Sequence, residues 1–245
     1  QCNQDGLEPM SINPVVGECN DCRINQIQKR AVGTAEVRRA FASASDDFEE
    51  GDVGAGAGTL CYGLKGGIGS ASRVIRIGET EYTIGVLVQS NFGATEDFVL
   101  NGEAVGAKIL DWKQEKDDMA ASEEDKGSIM SILATDLPLT SRQLKRILRR
   151  TGVGIARTGG YTGHGSGEVM IGFTTANRIP SGTEEKLLQI QAIPEHVINR
   201  AFLAAAEAEQ EAILNSMTAA ERTRGLAGEL YYSLAEDLED QDSKQ

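Results

Sequence analysis

The chain has 245 residues, of which 37 are acidic and 24 basic, so its formal net charge is −13. Apolar residues at 40% and charged residues at 25% are typical of a globular protein and exclude bulk disorder. An acidic chain without a face dense in lysine and arginine does not suit a polyanion, and no apolar run reaches the ~18 residues of a membrane span, so we expect neither a nucleic-acid nor a membrane partner.

The start of the chain carries no targeting signal that the sequence reveals. Residues 1–10 are polar, without a charged start followed by an apolar stretch, so we expect no signal peptide and a cytoplasmic protein. The chain begins at Gln1 rather than Met, so a processed product and an incomplete sequence both remain open.

Cysteines are sparse, and two of them form a CxxC pair, Cys19 and Cys22. No second CxxC or paired histidine follows at the spacing of zinc ligands, because His164 and His196 lie far from this pair and from each other. We therefore expect reduced thiols, no metal and no cofactor. The glycine-rich stretches at 51–69 and 152–167 lack the G-x-G-x-x-G and G-x-x-x-x-G-K-[ST] patterns, so we expect no nucleotide site.

Hydrophobic patterning predicts a mixture of strands and helices. Short apolar or β-branched runs bounded by glycine-rich or Asn-containing turns predict strands, and apolar residues at helical spacing predict helices. We predict strands at 59–64, 80–90, 128–135 and 168–176, and helices at 140–157 and 195–217. This order predicts an α/β or α+β fold.

Two segments are rich in charge. Residues 113–126 are almost wholly charged or small, which predicts an exposed acidic linker, and residues 236–245 predict a frayed acidic tail. The linker runs directly into Gly127 and Ser128 at the head of a predicted strand.

Ser128 is the candidate nucleophile. No G-x-S-x-G elbow occurs, and neither histidine is an evident partner for a serine. Cleavage before Ser128 would instead free an α-amine beside the hydroxyl, with a pKa of about 7.7–8.0, which makes it a base at neutral pH. Glycine at 127 permits a strained, attackable backbone. Gly-Ser after an acidic loop is more often simply a loop end, and the residues alone leave both interpretations open.

A set of motifs in matching order resembles one family over residues 12–217. The stretches are PVVGE (14–18), GTLCYGLKGGIGSASR (58–73), TIGVLVQSNFG (83–93), GSIMSILATDLPL (127–139), QLKRILRRTGVGIARTGG (143–160) and SGEVMIGFTTAN (166–177). They resemble the L-aminopeptidase/D-esterases and β-peptidyl aminopeptidases, self-processing enzymes of the N-terminal-nucleophile type. The resemblance implies a four-layer α/β/β/α sandwich and autocleavage between Gly127 and Ser128. Chains 1–127 and 128–245 would then stay together as one domain, in a homo-oligomer of two-chain units.

The resemblance also implies roles for three further residues. Ser166 and Glu168 match the family's Ser-Gly-Glu pair, which assists the nucleophile; an exposed strand-start carboxylate is the alternative for Glu168. Asn91 matches the asparagine that donates to the oxyanion, and a turn asparagine is its alternative.

The chain departs from the family pattern twice. After PVVGE the family continues with Thr, an aromatic residue, Asp and Gly, where this chain has Cys19, Asn20, Asp21 and Cys22, so a tyrosine hydroxyl is absent. Family members also carry a substantial segment ahead of PVVGE, where this chain has thirteen residues, so a sequence incomplete at its N-terminus is expected as one explanation.

The leading interpretation is a serine aminopeptidase or amidase that removes the N-terminal residue from short peptides, amino-acid amides or esters through an acyl-enzyme on Ser128. Two alternatives stay open. One is an acyltransferase like the ornithine acetyltransferases, whose nucleophile is threonine. The other is an inactive relative that binds rather than cleaves.

Overall fold

The computed structural model describes residues 13–116, 127–179 and 187–243. Most of the predicted linker (117–126) and the last two residues of the predicted tail lie outside the described residues. The α-helices are α1 Thr34–Ser43, α2 Gly106–Glu115, α3 Ser141–Leu148, α4 Thr151–Arg157, α5 Ile198–Thr218 and α6 Leu234–Ser243. The strands are β1 Leu60–Cys61, β2 Leu64–Lys65, β3 Ile68–Ile77, β4 Thr80–Asn91, β5 Val99–Leu100, β6 Glu103–Ala104, β7 Ser128–Thr135, β8 Gly167–Thr174, β9 Thr223–Arg224 and β10 Leu230–Tyr231.

A four-stranded mixed sheet in the order β3-β4-β7-β8 forms the centre of the fold. β3, β4 and β7 are antiparallel neighbours, whereas β7 and β8 are parallel. The remaining strands form two-stranded ribbons. Ser128 opens β7 in the interior of the sheet, with Asn91 as its partner on β4 and Gly167 as its partner on β8.

Helices cover one face of this sheet. Alternate residues of the two central strands are buried beneath the alanine-rich helix α5, and α3 and α4 extend the same layer. The residues that meet there include Ile84, Val86, Val88, Ile129, Leu133, Ala205, Ala208 and Ala212. Helix and sheet approach so closely that a Cβ atom at Gly69 would lie 2.0 Å from the Ala212 carbonyl oxygen. The expected α/β class is confirmed.

The opposite face of the sheet carries Ser128 and Asn91. Away from these two residues it leaves apolar side chains in solvent, with Val74 63%, Val169 48% and Phe173 50% exposed. Within the described residues the fold thus contains two of the four layers that the resemblance implies, one sheet and one helical layer.

Two predicted elements are each divided in the structure. The single helix expected at 140–157 is α3 followed by α4, and the Thr151 hydroxyl donates to the Leu148 carbonyl (2.9 Å) where the second helix begins. The strand expected at 59–64 is a hairpin of β1 and β2, because Tyr62 and Gly63 take φ values of 52° and 69° and form its turn.

The two charged segments also differ from expectation where the structure describes them. Helix α2 continues through Lys113, which is buried and donates to the Gly63 carbonyl (2.7 Å), so the exposed segment does not begin at residue 113. Helix α6 occupies most of the predicted tail, and the Trp112 indole donates to the Asp240 carboxylate (2.9 Å). Both helices bury only part of their surface, so their acidic composition predicted exposed segments instead of packed helices.

Candidate active site

The carbonyl group of Gly127 is held by two hydrogen bonds. The Ser128 hydroxyl donates to the Gly127 oxygen at 2.8 Å, and the backbone N–H of Gly167 donates to the same oxygen at 3.0 Å. The second bond follows from the parallel register of β7 and β8. Two donors on one carbonyl oxygen polarise the carbonyl and favour negative charge on that oxygen.

Gly127 is a glycine for reasons of space. A Cβ atom there would lie 2.0 Å from the Asn91 carbonyl oxygen and 2.6 Å from the Phe92 Cα atom. Close packing against the end of β4 explains this glycine.

Asn91 lies beside Ser128 with its side-chain amide fixed at both ends. Its Oδ1 accepts from the Leu60 backbone N–H (3.0 Å), and its Nδ2 donates to the Asn20 carbonyl (3.1 Å). The side chain is 9% exposed and leaves its strand on the same face as Ser128. Among the described residues, one of the two N–H groups of this amide has an acceptor, the Asn20 carbonyl. The other N–H can donate to a further oxygen.

Ser166 and Glu168 form a pair next to this centre. The Ser166 hydroxyl donates to Glu168 Oε1 at 2.6 Å, and the two residues flank Gly167. Strand alternation puts Glu168 on the sheet face opposite to Gly167 and Ser128. In the part of the chain that the structure describes, no hydrogen bond joins either residue to Ser128.

The segment that departs from the family pattern packs against the same strand ends. The Cys19 sulfur lies 3.6 Å from both the Gln89 and the Ser128 carbonyl oxygens, which share its single S–H donor. Burial raises the pKa of Cys19 to about 11, so this group is a neutral thiol at physiological pH. Asn20 supplies the carbonyl that Asn91 contacts. The sequence singled out this segment without indicating that it touches both strands.

No histidine or cluster of metal-ligating side chains takes part in the site among the described residues. Both histidines are exposed, and neither forms a hydrogen bond with a described site residue. Across the three described ranges, no cluster of three or more Asp, Glu, His or Cys side chains is arranged to hold a metal ion. A helix both long and apolar enough to cross a bilayer is likewise missing from those ranges.

Two contributors to the site were not predicted from the sequence. The Gly167 N–H depends on strand register, which the sequence does not reveal. The other is Lys65, which is fully buried behind the Leu60 N–H group that holds Asn91. Lysine side chains are ordinarily exposed, so the sequence gave no indication that Lys65 is buried.

Comparison with known proteins identifies the family. Residues 1–231 match the sequence model of peptidase family S58. The chain is 35% identical over 232 residues to "Beta-peptidyl aminopeptidase BapA" of Sphingosinicella xenopeptidilytica, over 91% of this chain and 58% of that protein.

Solved structures agree with the sequence match. A Pyrococcus horikoshii OT3 protein aligns with a TM-score of 0.85 and 44% identity, over 94% of this chain and 62% of that one. The L-aminopeptidase D-Ala-esterase/amidase of Ochrobactrum anthropi, described as a variant of the Ntn hydrolase fold, aligns with a TM-score of 0.80 and 36% identity, over 90% and 60%. The chain spans less than two thirds of the length of each of these relatives.

Fold, motifs and relatives together define the family to which the chain belongs. The chain belongs to peptidase family S58, which confirms the family expected from its motifs.

Proposed function

We propose that this chain is a self-processing serine aminopeptidase or amidase. It cuts itself between Gly127 and Ser128, and then removes the N-terminal residue from short peptides, amino-acid amides or esters. The observation that carries the proposal is the Gly127 carbonyl, held by the hydroxyl of the adjoining serine and by the Gly167 N–H. The activities for which the relatives are named, β-peptidyl aminopeptidase and L-aminopeptidase D-Ala-esterase/amidase, support it.

Self-processing begins with attack of Ser128 Oγ on the Gly127 carbonyl carbon. The Gly167 N–H stabilises the negative charge that develops on the Gly127 oxygen. The C–N bond then breaks, the hydroxyl proton passes to the Ser128 nitrogen, and an ester joins Gly127 to Ser128 Oγ. Water hydrolyses this ester, which leaves a carboxylate on Gly127 and a free amine and hydroxyl on Ser128.

Turnover uses the amine that processing has released. With a pKa of about 7.7–8.0, this amine accepts the Ser128 hydroxyl proton while Oγ attacks the substrate carbonyl. The remaining N–H of Asn91 donates to the oxyanion, and the amine returns the proton to the leaving amine or alcohol. Water, activated by the same amine, hydrolyses the acyl-enzyme. The reaction needs no cofactor or metal.

Ser166 and Glu168 act at the strand end rather than on the hydroxyl. Their hydrogen bond brackets Gly167, so it fixes the N–H that holds the Gly127 oxygen. The two chains remain one domain, and we infer a cytoplasmic homo-oligomer of two-chain units.

The intact mass of the complete protein tests the processing step. We expect two species, one ending at Gly127 and one beginning at Ser128, and a single uncut chain for Ser128→Ala. Ser72→Ala, a change at an exposed serine of β3 in the same sheet, is the matched control and should be cut normally. Cleavage of Ser128→Ala at the same bond would contradict the mechanism.

The processed protein then identifies the substrate class. It is assayed against amides and esters of L-α, D-α and β-amino acids, and release of the free amino acid is measured. Addition of an amine acceptor distinguishes hydrolysis from acyl transfer, because a transferase gives the acylated acceptor in place of the free acid.

A further inference from the structure

Lys65 is a lysine with no solvent-exposed surface. Its ammonium donates to three backbone carbonyls, those of Gly56 (2.8 Å), Thr59 (3.1 Å) and Gly66 (2.7 Å). An ammonium has three N–H donors, so the three carbonyls satisfy it completely. Burial of a charge is costly unless the charge is fully hydrogen-bonded, and this arrangement meets that condition with no carboxylate in the set.

One of these carbonyls belongs to the peptide group that holds Asn91. The Thr59 carbonyl accepts from Lys65, and at the other end of the same peptide the Leu60 N–H donates to Asn91 Oδ1. A continuous path of hydrogen bonds therefore runs from the ammonium, through one peptide group, to the side-chain amide beside Ser128. We propose that Lys65 is a positioning residue for the reaction, whose ammonium holds the Asn91 amide with its remaining N–H directed to the oxyanion; this inference rests on the proposed function.

The positive charge strengthens this path in a definite direction. A cation at the carbonyl end of a peptide group polarises it and makes its N–H a better donor, and such bonds reinforce one another where the dielectric constant is low. The two ends of an asparagine amide differ only in being acceptor or donor. A strong donor at Leu60 selects the orientation with Oδ1 towards Leu60, which leaves Nδ2 on the side of Asn20 and the strand end.

Lys65 also holds the loop that contains its partners. It is the cross-strand partner of Leu60 in the β1–β2 hairpin, and its backbone N–H donates to the Tyr232 carbonyl (2.7 Å). The hairpin is therefore fixed by main-chain bonds that survive loss of the side-chain charge. Replacement of Lys65 by an apolar residue of similar length is thus expected to keep the hairpin and remove the polarisation.

The matched variants are Lys65→Met and Lys113→Met in the complete protein. Lys113 is also buried and also donates to a carbonyl of this loop, that of Gly63, but not to the peptide that holds Asn91. For Lys65→Met we expect normal self-processing, an unchanged KM and a kcat lowered about tenfold, which is less than the ~10²–10³ that loss of a whole oxyanion donor costs. Lys113→Met should keep the wild-type kcat.

A double-mutant comparison separates positioning from general stability. When Asn91 is already alanine, the hydrogen-bond path from Lys65 no longer ends at a side-chain amide. Adding Lys65→Met should therefore not lower kcat further. Independent, multiplying effects of the two changes would overturn the inference. An unchanged kcat in Lys65→Met alone would overturn it as well.

A measurement without catalysis keeps the inference testable if a variant fails to fold. Burial lowers the pKa of Lys65 to about 8, against the opposing effect of the Asp52 charge. The ¹⁵N–¹H signals of the Leu60 amide and the Asn91 side chain should therefore titrate together near pH 8 in the uncut Ser128→Ala variant, which lacks the α-amine that would titrate in the same range beside Asn91. Absence of this titration overturns the inference. Titration in this variant, together with a wild-type protein that is neither processed nor active, would instead support the path and contradict the proposed function.

Discussion

Asn91 and Ser128 are cross-strand partners at the last register position between β4 and β7. The amide and the hydroxyl therefore leave neighbouring strands on the same face, at the point where the chain enters the sheet. The Leu60 N–H and the Asn20 carbonyl fix the orientation of the amide.

Substitution of Asn91 tests whether it acts as a donor. Asn91→Ala should lower kcat by about 10²–10³, or ~2.7–4 kcal/mol of transition-state stabilisation, with little change in KM. Asn91→Asp is the sharper comparison, because it keeps an acceptor for Leu60 but removes the N–H donors. Steady-state kinetics of both variants should show a similar loss of kcat. Retention of activity by Asn91→Asp would indicate that this residue only holds the hairpin.

A methyl group at position 127 should interfere with processing although Ser128 is intact. Gly127→Ala would bring Cβ to 2.0 Å from the Asn91 carbonyl oxygen and 2.6 Å from a backbone carbon of Phe92, neither of which moves without a shift of β4. We expect slow or absent cleavage, followed by intact mass over time. Gly152→Ala is the control, because its nearest contact would be the Met170 methyl at 3.9 Å. Cleavage of Gly127→Ala at the wild-type rate would contradict this account.

The thiols of Cys19 and Cys22 should differ sharply in reactivity. Cys19 is buried and its pKa is raised to about 11, so almost none of it is thiolate at pH 8, whereas Cys22 is exposed. Iodoacetamide at pH 8 is expected to label Cys22 first and Cys19 only on unfolding, as measured by peptide mass spectrometry. Rapid labelling of native Cys19 would show that its contacts with β4 and β7 are not maintained.

Glu209 should make the protein less stable as pH rises. This fully buried carboxyl accepts from the Ser131 hydroxyl (2.6 Å), and burial raises its pKa from 4.5 to about 7. Between these two values the folded state keeps a proton that the unfolded state has lost, so the contribution of this group is present below pH 4.5 and is lost as pH rises through 7. The loss is about 3 kcal/mol.

Urea unfolding at pH 5 and pH 8 measures this effect. Glu209→Gln cannot titrate, so the decrease in unfolding free energy between the two pH values should shrink by about 2.5 kcal/mol. Glu207→Gln, on the same helix but partly exposed and paired with Arg73, should retain the wild-type decrease. An equal decrease in the wild-type protein and Glu209→Gln would show that Glu209 is not the group responsible.

Strong hydrophobic patterns made part of the fold predictable. The strand at 128–135 has the predicted bounds, because its residues are apolar or β-branched and turn signals enclose it. β3 gave no such signal, since Arg73 lies on its helix-covered face and pairs there with Glu207 and Glu211 of α5. A charge that finds its partner in a distant helix is indistinguishable, in sequence, from a solvated one.

The candidate site was predictable to a similar extent. Motif resemblance identified Ser128 and Asn91, which the structure brings together as cross-strand partners. It gave no indication that Glu168 leaves its strand on the other sheet face, because that depends on the register of β8 against β7. The contributions of Gly167 and Lys65 depend on backbone geometry that no side-chain pattern encodes.

The position of β7 gives self-processing a thermodynamic consequence. A cut before Ser128 would leave this strand bonded to β4, which then belongs to a separate polypeptide. Unfolding would produce two molecules from one, so mass action would enter the equilibrium. The melting temperature of the processed protein should rise with its concentration, whereas that of the uncut Ser128→Ala variant should respond less. Cleavage of the bond before Ser128 would thus both create the nucleophile and turn folding into the association of two polypeptides.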